Sequence, residues 1–300
     1  MRKFNQHIVI LFLLISSSSF ACLNGLEYQL STGTTVYIDH ANAVPYGHEF
    51  WVNEPATEIR KLDSLYQAKP HVDYLNEKGL VYIISKDYQK AIDLYLEIEK
   101  KTPGLYATAS NLGTAYELLG DNVNALKWIE KAIEINPNSH HHSEWIHVNI
   151  LKIKLGQMPL SSTNLIGVDF GKEDRPVTKL SPKALEELSE QLYFQLNERR
   201  SFVGPKDEIV SQLLFDYGNL MLLRNLNQEA KEVYEIAIKY GFDPSFVNLR
   251  MLQLNGSNEQ NEASLFTKIK NNWDTILISI LSMITFLLIY GRKERKKRNR

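Results

Sequence analysis

The apolar positions of this chain follow three patterns. Ile8 to Ile15 (IVILFLLI) and Thr275 to Tyr290 (TILISILSMITFLLIY) are apolar runs, the second without a charge over 16 residues. Between them, apolar residues recur at helical spacing over long stretches, the mark of helices with one buried face. Near the start, Glu27 to Leu30 and Thr34 to Ile38 flank Ser31-Thr32-Gly33, which predicts a short hairpin. Pro55 to Gln67 predicts a helix closed before Pro70.

The middle of the chain repeats itself. With Tyr74 to Pro103 laid on Thr108 to Pro137, Gly79 meets Gly113, Tyr82 meets Tyr116, Ala91 meets Ala125 and Pro103 meets Pro137, each at an offset of 34. Gly113 and Ala125 are small where two antiparallel helices must approach, and Tyr116 and Ile129 supply the bulk between them. Gly120-Asp121 marks a tight turn, and Pro137 stops the second helix. A further copy runs from Leu214 to Pro244, where Gly218, Ala230, Tyr234 and Ala237 keep the intervals of Gly79, Ala91, Tyr95 and Ile98. His142 to Leu155 and Lys183 to Arg199 read as the two helices of one more unit, split by a surface loop over 156–182 that is rich in Gly and Pro.

These segments resemble the tetratricopeptide repeat. In the second copy, Leu112, Gly113, Tyr116, Gly120, Ala125, Ile129, Ala132 and Pro137 stand at its signature positions. The resemblance implies an all-α fold, a solenoid of about three to four helical hairpins over 72–254. Its repeats would cover 72–105, 106–139, the split 140–199 and 208–243, with a cap over 244–254. The small hairpin and one helix fill 22–71. The resemblance also implies a concave face built from the first helices, which would present Asn76, Leu80, Ile83, Ser110, Asn111, Thr114, Glu117, Trp145 and Asn149. Family members that grip a C-terminal carboxylate use Lys and Asn where this chain has Asn76 and Leu80, and only Asn111 remains of that set. An extended peptide or a partner's helix is the expected guest.

The two ends change the picture. Arg2 and Lys3 precede the first apolar run, and Ser19-Phe20-Ala21 follows it, so 1–21 reads as an export signal. Eight apolar residues rise only about 12 Å as a helix, too short to span a bilayer. Cys22, next after the cleavage point, resembles the lipid-modified cysteine of bacterial lipoproteins, although Phe20 and Ser19 depart from that pattern. The alternative is a free thiol. As the only cysteine, it excludes an internal disulfide or a Cys-rich metal site. Residues 273–291 predict a transmembrane helix after a polar tether over 255–272. The basic tail 292–300 places that end in the cytoplasm and the body outside, in a periplasm. Thr275, Ser279, Ser282 and Thr285 share a helix face that could support weak self-association.

Charge and chemistry narrow the function. The net charge of −1 hides an uneven distribution, because 292–300 alone hold seven Lys/Arg and one Glu. With these and Arg2 and Lys3 set aside, 25 bases face 34 acids, a poor surface for nucleic acid. His140, His141, His142 and His147 concentrate imidazoles, but three consecutive side chains point in different directions, so no metal site is expected. Asp169-Phe170-Gly171 matches a kinase triplet without its companion motifs. No catalytic residue and no cofactor are expected. The expectation is a non-catalytic interaction scaffold of the bacterial cell envelope, single-pass in the membrane. The alternatives are an envelope enzyme with its site in Leu23–Lys69 or 156–182, a lipid-anchored assembly factor, or a C-terminal processing signal.

Overall fold

In a computed structural model of the chain, the residues described are 27–39, 42–252 and 254. They divide into two compact units, one running to Phe170 and resuming over Thr178–Phe242, the other made of Gly171–Val177 and the residues from Asp243.

The first unit opens with a two-stranded antiparallel hairpin, β1 (Glu27–Gln29) and β2 (Thr35–Ile38). Its turn is tied to the helices that follow. Ser31 donates from its amide and its hydroxyl to Glu77 at 2.9 and 2.6 Å, and the Thr32 and Thr34 hydroxyls both donate to Glu58 at 2.8 Å. Glu58 lies on α1 (Pro55–Ala68) and Glu77 on α2 (Val72–Ile84). Leu30, Val36 and Tyr37 pack on Leu62, Leu80 and Val81, so the hairpin covers the first end of the helical stack. That is the task of a terminal cap in a repeat array.

Helices α3 (Tyr88–Lys101), α4 (Tyr106–Leu119) and α5 (Asn122–Ile135) continue the stack. The repeat glycines act where pairs touch. A β-carbon placed on Gly79 would lie 2.3 Å from the Tyr95 ring, and one on Gly113 2.6 Å from Ile129. Farther on, α9 (Glu208–Leu223) and α10 (Asn227–Tyr240) repeat the device, with Gly218 only 2.4 Å from Tyr234 by the same measure. Each glycine meets the side chain sixteen positions later. Ala91, Ala125, Ala132 and Ala230 are fully buried in these seams. Gly120, with φ 94°, ends α4 in the left-handed conformation, and the Asp121 carboxylate caps α5 by accepting from the Asn124 amide.

The third unit of the stack departs from expectation. α6 (Glu144–Lys154) packs on α5 through Val148 and Leu151 against Ala125 and Ile129. The expected surface loop instead holds a short helix, α7 (Ser162–Ile166), and buries Leu165, Ile166, Val168 and Phe170. α8 (Pro182–Phe202) is not a second helix closing on α6. Its Gln191 accepts from the Trp145 indole of α6 at 3.0 Å, Gln195 reaches Ser143, Arg199 reaches Glu117 of α4, and Phe202 packs among residues of α2. α8 thus crosses the inner faces of α6, α4 and α2 in turn.

A strap over residues 42–53 fastens α8. The Gly47 amide donates to Asn197 Oδ1 at 2.8 Å, the His48 amide to Ser201 Oγ at 2.8 Å, and Arg200 donates to the Pro45 carbonyl. In the second unit, residues 244–252 are helical, and the buried Arg250 donates to the carbonyls of Glu173 and Gly171.

The fold class expected from the sequence is corrected in one part. The helical-hairpin solenoid with its small hairpin stands, but a membrane-spanning helix is not supported. Among the described residues, no helix is long and apolar enough to cross a membrane. Residues 273–291, the leader 1–21, Cys22, the tether and the basic tail lie outside the described residues. Membrane anchoring as a partner interaction is withdrawn with the helix.

Candidate functional site

The inner helices place Leu80 and Ile83 (α2) and Ser110, Asn111, Thr114 and Glu117 (α4) along one wall of a cavity of about 200 Å³. α8 supplies the opposite wall through Gln195, Glu198, Arg199 and Phe202, and His140, Glu144, His147 and Lys154 close one end. Six of the nine residues expected on the concave face therefore line this space. The other three are engaged elsewhere. Asn76 is buried, with its carbonyl accepting from Tyr95 OH at 3.0 Å and its side chain from Thr108 at 2.8 Å. Trp145 is tied to Gln191, and Asn149 donates to the Leu165 carbonyl at 3.1 Å.

The ionic end of the cavity is a chain of paired charges. Arg199 donates to both oxygens of Glu117, at 2.9 and 3.3 Å, the fork geometry in which guanidinium and carboxylate match best. Lys154 Nζ and His147 Nε2 each lie 2.6 Å from the same carboxylate. On its other side, the His147 ring faces Glu144 at 3.5 Å, and Glu144 also meets His140 and Tyr106 OH. His140 Nε2 lies 3.9 Å from Glu198.

Burial alone would raise the Glu117 carboxyl, but Arg199, His147 and Lys154 hold it well below the usual carboxylate range. For Glu144, burial also works upward and is outweighed by His140 and His147, so it too is lowered. Burial opposes charge on His147, yet Glu117 and Glu144 raise its pKa above the ordinary imidazole value. Glu198 goes the other way, because burial raises it and its cations are farther off. The arrangement pairs every strong charge with an opposite one. It holds α8 in place and leaves the apolar and amide-bearing part of the cavity as its receptive surface.

The three consecutive histidines form a turn with φ of 50°, 53° and 60°, left-handed backbone that costs a side-chain-bearing residue about 1–2 kcal/mol. That turn delivers His140 inward against Phe194, at 5.1 Å between ring centroids, while His141 and His142 stay exposed. Among the described residues, no group of three or more His, Cys, Asp or Glu is arranged to hold a metal ion.

A second cavity, of about 410 Å³, lies on the other side of α8, between that helix, α9 and the strap. It contains a carboxylate–imidazole pair, Asp39 Oδ2 and His48 Nδ1 at 2.5 Å. Burial lowers the His48 pKa despite Asp39, and its Nε2 is closed off from solvent without a hydrogen-bond partner. The pair ties the strap to Asp39, the residue next after β2.

Sequence reasoning missed Arg199, Lys154 and Glu198, and it weighed His140 and His147 only as metal ligands. The available signal was the stripe Leu188, Leu192, Gln195, Leu196, Arg199 on α8, an apolar face carrying an amide and a guanidinium that need buried partners.

Residues 108–139, which hold most of α4 and all of α5, match the tetratricopeptide repeat. Among solved structures, the chain is similar to one of Naa15/Naa10 bound to HypK-THB, at 16% identity and a TM-score of 0.29, over 73% of this chain and 35% of that one. It therefore spans about a third of that chain's length.

Proposed function

We propose that this protein is a non-catalytic protein–protein interaction scaffold, and that the partner's segment enters the cavity between the α2–α4 wall and α8. One observation carries this reading. The inner wall already holds a helix of the chain itself through mixed apolar and ionic contacts, and it leaves about 200 Å³ unfilled beside that helix. The tetratricopeptide match over 108–139 supports the same class of function. Leu80, Ile83 and Phe202 offer apolar contact there, and Ser110, Asn111 and Thr114 offer hydrogen bonds to a peptide backbone.

Thr114→Phe would fill the cavity with apolar bulk and add no charge beside the Glu117–Arg199 tie. The expected result is that proteins cross-linked to the wild-type chain are captured about tenfold less well, with an unchanged melting temperature. An identical set of captured proteins sinks the reading. A substitution at Trp145 is a poorer test, because it also frees Gln191 of α8.

The finer reading, an exported protein of a bacterial envelope, rests on the leader-like residues 1–21. Mass spectrometry of the mature chain should find its first residue at Cys22. A retained Met1 peptide defeats the export reading and leaves the scaffold reading intact.

A further inference from the structure

The cavity between α8, α9 and the strap is lined by acceptors and aromatic rings. Glu190, Tyr193, Phe194 and Glu198 recur at three- and four-residue spacing, so they share one stripe of α8 facing this space. Tyr217 of α9 and Arg224, next after that helix, also line it, and Asp39 lies at the edge of the strap. Three carboxylates thus face one guanidinium, and Arg224 also leans toward Glu186, 3.8 Å away. The imidazoles do not restore the balance. His48 is held toward its neutral form by burial, and His141 is exposed at the rim.

The carboxylates differ in how far they are already satisfied. Asp39 is paired with His48 and accepts from Asn197 at 3.0 Å. Glu198 has His140 Nε2 at 3.9 Å, feels His147 and Arg199 as well, and is pushed toward its neutral form by burial. Glu190 is exposed and has no ion-pair partner among the described residues. An anionic guest would meet these carboxylates at a cost, and a neutral one would leave Glu190 uncompensated. The rings of Tyr193 and Tyr217 lie 6.3 Å apart at 50°, forming an aromatic corner beside the carboxylates. A flat, weakly hydrated cation with several N–H donors satisfies both features, because it stacks on a ring face while its edge donates to carboxylates.

We propose that this cavity binds the guanidinium group of an arginine side chain presented by a partner protein. The choice of a protein as the source rests on the scaffold reading above. The chemistry of the cavity does not.

The test titrates the full chain with blocked tripeptides at low salt, following binding by calorimetry. Acetyl-Gly-Arg-Gly-amide should bind about tenfold more tightly than its citrulline counterpart, which has the same shape without the charge. Glu190→Gln, at an exposed position, should weaken the arginine peptide about fivefold. Arg224→Gln removes the competing cation and should tighten it severalfold, a gain that misfolding cannot imitate. Equal binding of the arginine and citrulline peptides, no binding of either, or weaker binding in Arg224→Gln overturns the proposal. Free arginine binding more tightly than the blocked peptide overturns the protein source. Thr114→Phe should leave this titration unchanged, so the two readings fail separately.

Discussion

Two parts of the helical stack are held by different means. In α2–α5, neighbouring helices are matched by residue size, a glycine under a bulky side chain, and the partners are sixteen positions apart. Where α6 and α8 join the stack, the decisive partners lie far apart in sequence and are matched by charge, as in Glu117 of α4 with Arg199 of α8. Size matching is satisfied within one hairpin and tolerates almost no added volume. Charge matching assembles distant segments, but it ties their stability to protonation state.

The largest effect should come from the size-matched seams. Gly218→Leu forces a side chain into the Tyr234 ring and should lower stability by about 3 kcal/mol, visible as a shifted urea midpoint. A variant melting like wild type would mean that α9 and α10 are not paired as described.

Next comes the ionic region. Arg199→Met should cost about 2 kcal/mol, less than a fully broken buried pair because Glu117 keeps His147 and Lys154. Adding Glu117→Gln should cost less than it does in the wild type, because Arg199 is no longer there to be left unpaired, although Lys154 and His147 lose their carboxylate. If the double variant is as unstable as the two losses combined, the coupling is absent.

The pH dependence sharpens the contrast. Asp216 of α9 accepts from Ser162 and Gln212, and burial raises its pKa to about 7. A carboxylate raised on folding favours the native state below its unfolded pKa. That advantage is lost as pH climbs toward the folded value. Asp216→Asn should therefore gain on the order of 2 kcal/mol relative to wild type between pH 5 and pH 8. Glu117 and Glu144, being lowered, contribute in the opposite sense, with stability present above the ordinary carboxylate pKa and lost in acid. Equal urea midpoints for wild type and Asp216→Asn at both pH values would refute the Asp216 assignment.

The smallest change is His142→Gly. His142 is exposed with φ 60°, so glycine should stabilise by about 1 kcal/mol. A lower melting temperature would show that the side chain has a role its exposure hides.

How far the fold was legible follows from the same contrast. The hairpin could be read because Ser31-Thr32-Gly33 is a turn with local chemistry. The repeats could be read because Gly79, Gly113 and Gly218 solve the same packing problem at a fixed interval. The path of α8 could not, because an apolar stripe states that a helix is buried without stating against what. The partner of Arg199 is 82 positions away. For the concave face, helical phase placed Leu80, Ile83, Ser110, Asn111, Thr114 and Glu117 along the cavity. It could not show that Asn76, Trp145 and Asn149 had internal bonds to make. The apolar run over 273–291 led to a membrane helix that the described residues do not support.

The bond from the Gly47 amide to Asn197 closes a circuit of 150 residues. Each size-matched hairpin can form from chain already at hand, whereas the strap has nothing to clasp until α8 has been synthesised and laid across the stack. Acquisition of structure should therefore be staged, with rapid local pairing followed by a slower closing event governed by long-range loop entropy.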